Sequence, residues 1–424
     1  MKFYAALFPV LTVAFCLNAA DAVTSATPQV KQQAVKKAQP AAKKSKNVQK
    51  KKAVKNKKRT PNKKVQIPAS VNISSFAPDA KDATAALQKA INTRAKEVVF
   101  DKAGTYFLRP VKLRGRMQFI LKEGVKIQGI LPKKNDAALP GLFTINNVSK
   151  VVIRGSGNNT ISAPPGMAVF SIKNANNIEL HNFTVENSSN GIKLDNVYGA
   201  KIYNIVFESL SGTALELRGG NWSNIFDCQF RNLAGTGAAV FARKDGQLSY
   251  TVFDNCEFFN SQTGLVLRRP EQTVAAKAPD KKARPARFDI RSCRFFNNSG
   301  IDMELCGNLT FGSIKIENAL FNNTSNTALK LVDFTNAADA VTLQINNSSF
   351  NPGETNLKTP IVCMGSSDLP VGNVKFSNTA VASPVHKKAI CFDLKKKSGK
   401  LEGVLPVIAA DGSRMNAILT VEEK

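Results

Sequence analysis

From about residue 148 the chain alternates short apolar runs with Asn, Gly and Ser, and the apolar positions return in phase. One Phe per repeat marks the phase: Phe183, Phe207, Phe230, Phe258, Phe295, Phe321, Phe350 and Phe376, at intervals of 24, 23, 28, 37, 26, 29 and 26 residues. Five residues before the marker stand Ile178, Ile202, Ile225, Phe253, Ile290, Ile316 and Ile345. Three before it, from the second marker on, stand Asn204, Asp227, Asn255, Ser292, Asn318, Asn347 and Asn373. Two after it stand Asn232, Asn260, Asn297, Asn323 and Asn378. A register kept at several offsets predicts a coil of about two dozen residues, built of short strands and turns. Each coil would stack on the next at about 4.8 Å by parallel pairing. No coil could bury its apolar face alone. Stacked Ile and Phe would give a continuous core, each contributing about 1.5–3 kcal/mol. Asn at the bends satisfies backbone groups and tolerates left-handed backbone.

Three cysteines fall into the same phase. Cys228, Cys256 and Cys293 all lie two before the marker, a column that Ala319 continues. Metal-ligand spacing is absent, so small buried side chains are expected there, with disulfides between coils as the alternative. Upstream, Asp82 can cap a short helix whose apolar face is Ala83, Leu87, Ala90 and Ile91. Strand-like runs follow at Val98 to Phe100, Thr105 to Leu108 and Met117 to Ile130, punctuated by Gly104, Gly115 and Gly124.

Composition adds a long dry core and an anionic partner. Of the 424 residues 43% are hydrophobic, and the aromatics are mostly Phe, 26 against 5 Tyr and 1 Trp. The net charge is +28, and residues 23–64 carry fifteen Lys or Arg with no acid. That segment cannot offset its ordering entropy by burial and reads as a disordered cationic tether to an anionic envelope polymer or membrane surface. Ahead of it, Lys2, an apolar run from Phe3 to Leu17, and Ala20-Asp21-Ala22 read as a cleaved signal peptide. A secreted or periplasmic location follows, and nucleic acid is not the expected partner.

The stretch Asp82-Ala83-Thr84-Ala85-Ala86-Leu87-Gln88-Lys89-Ala90-Ile91, then Val99-Phe100, Gly104-Thr105-Tyr106 and Leu121-Lys122-Glu123-Gly124-Val125, resembles the N-terminal cap and first coil of pectate-lyase-like and rhamnogalacturonase-like proteins. With the coils behind it the resemblance spans roughly residues 75–380. It implies an all-β fold, a right-handed parallel β-helix with a short N-terminal capping helix, and a carbohydrate partner. The chain then divides into a signal peptide (1–22), a cationic linker (23–68), a cap with the first coils (69–147), the β-helix proper (148–385) and a C-terminal coil or cap (386–424).

After each marker turn comes a strand whose first and third residues should face inward. Aligned by motif, these strands read Ile192-Lys193-Leu194-Asp195, Leu215-Glu216-Leu217-Arg218, Val240-Phe241-Ala242-Arg243, Leu265-Val266-Leu267-Arg268 and Met303-Glu304-Leu305-Cys306. One outward column is then Asp195, Arg218, Arg243, Arg268, and the other is Lys193, Glu216, Phe241, Val266, Glu304, Lys330. Like charges stacked on neighbouring strands are unfavourable, so three adjacent guanidinium groups call for an anion, and planar Arg suits carboxylate or sulfate on a glycan. Asp195, Glu216, Phe241, Arg268 and Arg269 are the expected substrate-binding residues. The bland alternative is a solubilising surface in which Asp195 and Glu216 pair some of these cations. The basic insertion at 270–287 would flank the same wall.

Hydrolysis needs two carboxylates. In polygalacturonase-like relatives the acids lie at the turns before these strands, but Ser188-Ser189-Asn190, Ser211-Gly212-Thr213, Gly235-Thr236-Gly237 and Ser261-Gln262-Thr263 carry none, and the family's His-Gly element is missing. β-Elimination on a uronic acid instead needs a cation to neutralise the carboxylate and a basic proton acceptor. Arg218, Arg243 and Lys193 are the catalytic candidates for it. No cofactor is evident; calcium is the candidate ion, because Asp195 and Glu216 would face out from adjacent coils. His181, two before the first marker, is expected to pack in the Cys column, and His386 to lie in a solvated turn. The two rival functions are a lyase-like enzyme on an acidic polysaccharide and a non-catalytic envelope or matrix protein that binds one.

Overall fold

The computed structural model describes residues 67–134, 139–243, 249–269, 287–306, 309, 312–322, 327–332, 341–351, 362–365, 374–382, 390–393, 401–402, 404–408 and 414–418. The expected signal peptide, nearly all of the cationic linker, residues 270–286 of the basic insertion, and His386 lie outside the described residues. The helix spans Thr84–Asn92 and buries Ala86, Leu87, Ala90 and Ile91 at the start of the core. Asp82 does not occupy the N-cap position, which is Ala83, but its carboxylate accepts the Thr84 N–H at 3.1 Å and holds Arg109 at 2.6 Å.

Among the described residues the coils then build three parallel ladders. The first runs through strands such as Asn176–Glu186, Tyr198–Glu208, Asn221–Phe226, Thr251–Asp254 and Arg287–Arg291. The second takes the far halves of those first two long strands, then Gln229–Arg231, Glu257–Phe259 and Arg294–Phe296. The third is an 11-stranded sheet from Val111–Leu113 to Ile390–Asp393, including Asn190–Asp195, Leu215–Arg218, Thr236–Phe241, Thr263–Arg268 and Ile301–Cys306. Among the described strands one pair is antiparallel: Val404–Ile408 with Arg414–Ile418, at the C-terminal end.

The phased columns are real, with two corrections. Phe207, Phe230, Phe258, Phe295, Phe321 and Phe350 pair one above the other. Their rings stack nearly parallel, with centroids 4.5–4.9 Å apart from one coil to the next. Phe183, however, pairs with Ile205, and Phe376 with Ile345. The residues in line with the column are Val185 below and Val381 above. Valine therefore fills the marker position in those coils, and the neighbouring Phe belongs to another column. Room for the rings comes from glycine. A Cβ at Gly264 would lie 3.0 Å from the Phe295 ring and 2.4 Å from the Asp302 carbonyl, and Gly237 meets Phe258 in the same way.

Asn182, Asn204, Asp227, Asn255, Ser292, Asn318 and Asn347 bend the first ladder into the second, all at positive φ. Their side chains bond vertically: Asn204 Nδ2 donates to Asn182 Oδ1 at 3.2 Å, and Asn255 Nδ2 to Asp227 Oδ1 at 2.6 Å. Just inside the bend, the cysteine column is a column of small donors. Cys293 Sγ lies 3.2 Å from the Arg291 carbonyl and 3.7 Å from that of Phe253; Thr379 Oγ1 makes the equivalent bonds to Ser377 and Ile345 at 3.1 and 3.2 Å. Ser348 bonds the Asn346 carbonyl at 2.9 Å. Thiol and hydroxyl thus do the same backbone work. Cys228, Cys256 and Cys293 are free, buried thiols, and burial pushes those of Cys256 and Cys293 up.

Candidate functional site: two outward walls of the β-helix

The third ladder carries the expected wall, in a changed order. Asp195 pairs with Arg218, Arg218 with Phe241, and Phe241 with Arg268. The column below Asp195 continues to Lys173. Arg243 is therefore not between Arg218 and Arg268; it lies two residues past the column, after the end of its strand. The second column reads Lys193, Glu216, Ala239, Val266, Glu304, Lys330, so Phe241 belongs to the first column rather than here. A two-residue slip keeps every side chain on its predicted face, so alternation alone could not reveal it. Val266 stands in an outward row but is buried, whereas Arg269 is exposed beyond its strand.

This wall is laced by charge pairs. Lys173 Nζ lies 3.0 Å from Asp195, and Glu304 holds Lys330 at 3.2 Å and Arg268 at 3.5 Å. Arg218 pairs with Glu216 and lies over the Phe241 ring, 4.0 Å from its centroid. Arg218 is thus engaged on two sides, by a carboxylate and by a ring face. Lys193 makes no ion pair among the described residues. Asp195 and Glu216, the two carboxylates expected to face calcium, lie against Lys173 and Arg218. No group of three His, Cys, Asp or Glu side chains comes together as metal ligands among the described residues.

The first ladder carries a second wall that the sequence reading missed. His181 pairs with Tyr203 and Tyr203 with Phe226, outside the helix rather than in the cysteine column. The reason is the Val185 correction: relative to the true marker, His181 sits four positions back, on the outward side. The three rings stack at 4.4 and 4.7 Å, within 7° and 5° of parallel. Tyr203 donates its hydroxyl to Glu179 at 2.7 Å. Burial and this carboxylate push the Tyr203 phenol up to about 12. Burial pulls the His181 imidazole below its usual value, opposed by Glu179 at 3.8 Å. Above Phe226 the column continues as Asp254, Arg291 and Glu317. The signal in the sequence was an aromatic at one offset in successive coils, at His181, Tyr203 and Phe226.

With this geometry in place, the comparisons bear on the fold. Residues 168–350 match the family model described as a right handed beta helix region. The body of the chain is a right-handed parallel β-helix. The A-module of a mannuronan C-5 epimerase from Azotobacter vinelandii is similar, with 12% identity over 78% of this chain and 100% of the module, at a TM-score of 0.51. The tailspike protein of E. coli bacteriophage HK620 shares 10% identity over 80% of this chain and 67% of its own, at 0.54. An endo-xylogalacturonan hydrolase from Aspergillus tubingensis shares 10% over 78% of this chain and 100% of its own, at 0.50. At such identities the likeness is one of fold. No curated protein matches the sequence. Among the described residues no helix is long and apolar enough to cross a membrane.

Proposed function

We propose that this protein is a polysaccharide-binding β-helix that holds an acidic glycan along the third-ladder wall. The observation that carries the reading is the column Arg218–Phe241–Arg268: two cations on alternate coils with an aromatic ring between them. The two arginines have backbone positions two coil rises apart, about 10 Å along the axis. Their planar donors fit carboxylates on successive sugars, and Phe241 props the first of them. The similar structures with TM-scores of 0.50 and above include an epimerase of mannuronan and a hydrolase of xylogalacturonan, which supports a uronate partner. Binding is favoured over β-elimination because Arg218 is engaged by Glu216 and Phe241 and Arg243 is off the wall. In this reading the protein is exported, and its lysine-rich segment tethers it to an anionic envelope polymer.

The test uses the chain from Val65 onward, so that the tail cannot do the binding. It is passed over polygalacturonate and alginate, with and without calcium, while absorbance from unsaturated ends is followed. Salt-sensitive retention without new absorbance is expected. A rise in absorbance would make the protein a lyase, and absence of retention on every polymer would remove the acidic-glycan reading.

A further inference from the structure

The first-ladder wall holds an open cleft of about 470 Å³, within the size range of small-ligand sites, about 300–1,000 Å³. Phe226 lines it where the ring stack ends, because the next coil puts Asp254 in that row. The floor is Asn224 and Val252, and Tyr250 lines it at the opposite end of the strands. Tyr250 in turn packs on Trp222, ring centroids 4.8 Å apart; Trp222 is 41% exposed. Four charged groups complete the lining: Lys201 and Arg291 against Asp227 and Asp254. Their formal charges cancel, and Arg291 is further engaged by buried Asp289 at 2.6 Å. Asn255 already donates to Asp227 at 2.6 Å.

We propose that this cleft is a second carbohydrate site, one that takes an uncharged pyranose unit. An uncharged ring brings no charge to a cleft whose own charges cancel. Its C–H face would lie on Phe226, while Asn224 and the Asp254 carboxylate would take its hydroxyls. A uronate unit would meet Asp227 and Asp254 with no surplus cation to offset it, whereas the third-ladder wall presents Arg218 and Arg268. The two walls then divide a mixed polymer, or two polymers, by charge. The inference rests on the reading that the partner is a polysaccharide, but not on the acidic site being correct.

Trp222 is the single tryptophan of the chain, so its fluorescence reports on the rim of this cleft alone. The full chain is titrated with neutral gluco-, manno- and galacto-oligosaccharides and, separately, with oligogalacturonate. At least one neutral series should change Trp222 emission saturably and independently of salt. Phe226→Leu, which keeps the apolar bulk but removes the ring, should weaken that binding about tenfold. Asp254→Asn should weaken it as well, with melting of both variants as the check on folding. Arg218→Ala should leave it unchanged. If no neutral series changes the emission while polygalacturonate still retains the protein, the cleft proposal fails and the acidic wall stands. If neutral binding survives both cleft substitutions in folded protein, the site lies elsewhere and the proposal fails. If neither class of glycan binds, both readings fall.

Discussion

The third-ladder wall and the first-ladder face come from the same repeat and sit on the same core, yet the first-ladder face carries a ring column that the third-ladder wall lacks among the described residues. On the first-ladder face, like stacks on like: His181, Tyr203 and Phe226 pile up as parallel rings. On the third-ladder wall, signs alternate: Lys193 is followed by Glu216, Lys173 by Asp195 and then Arg218, and Glu304 by Lys330. The first ladder shows the same alternation beside its rings, in Glu179 and Lys201, and beyond them, in Asp254, Arg291 and Glu317. Parallel pairing brings equivalent side chains within about 5 Å, close enough for rings to gain from contact and for like charges to repel. The expected column of three Arg would have broken this rule. The observed one inserts Phe241 between Arg218 and Arg268, and so holds two like charges two coils apart.

The comparison can be broken from inside or outside the coil. The largest effect should come from the shared core: Phe258→Ala removes a ring stacked on both sides and should cost about 3–5 kcal/mol in urea unfolding, weakening both walls together. Next is Glu304→Lys, which places a third cation between Lys330 and Arg268 and breaks the alternation. A loss of about 1 kcal/mol is expected, smaller at high salt, and an unchanged unfolding midpoint would show that sign order does not matter there. Cys293→Ser keeps a donor for the Arg291 carbonyl, as Ser348 does in its coil, and should cost less than about 1 kcal/mol. In the native protein Cys228, Cys256 and Cys293 should resist thiol reagents until unfolding.

The smallest effect is titration of the ring stack. The folded-state pKa of His181 is depressed from 6.5, so its contribution is present above that value and is lost as pH falls through the folded pKa. Tyr203 is an acid whose folded value is raised from 10.0 to about 12, so its contribution is present below pH 10 and is lost between the two values. His181→Gln should flatten the acid limb of the stability curve without touching the alkaline one, and an acid limb unchanged in that variant would remove the assignment.

The repeat made the fold legible. Phe, Ile and Asn recurring at fixed offsets identified stacked coils, the left-handed bends and the column of small side chains holding the cysteines. What slipped was the row. In the coil of Phe241, Val240-Phe241-Ala242-Arg243 has the same in-and-out pattern as Ala238-Ala239-Val240-Phe241, and only the hydrogen-bonded ladder distinguishes them. At the first repeat Val185 replaced the Phe marker, which drew Phe183 into the wrong column and put His181 inside. The aromatic face stayed hidden for that reason, and because Trp222 and Tyr250 meet across a 28-residue coil rather than a shared motif.

In the proposed function Arg218 and Arg268 hold the acidic glycan and Arg243 does not. That assignment is tested most directly by affinity electrophoresis of the chain from Val65 in a polygalacturonate gel over a series of salt concentrations. Arg218→Ala with Arg268→Ala should show about a tenfold loss of affinity and a shallower salt dependence, and Arg243→Ala should behave as wild type. Wild-type retardation in the double variant, or loss in Arg243→Ala alone, would contradict it.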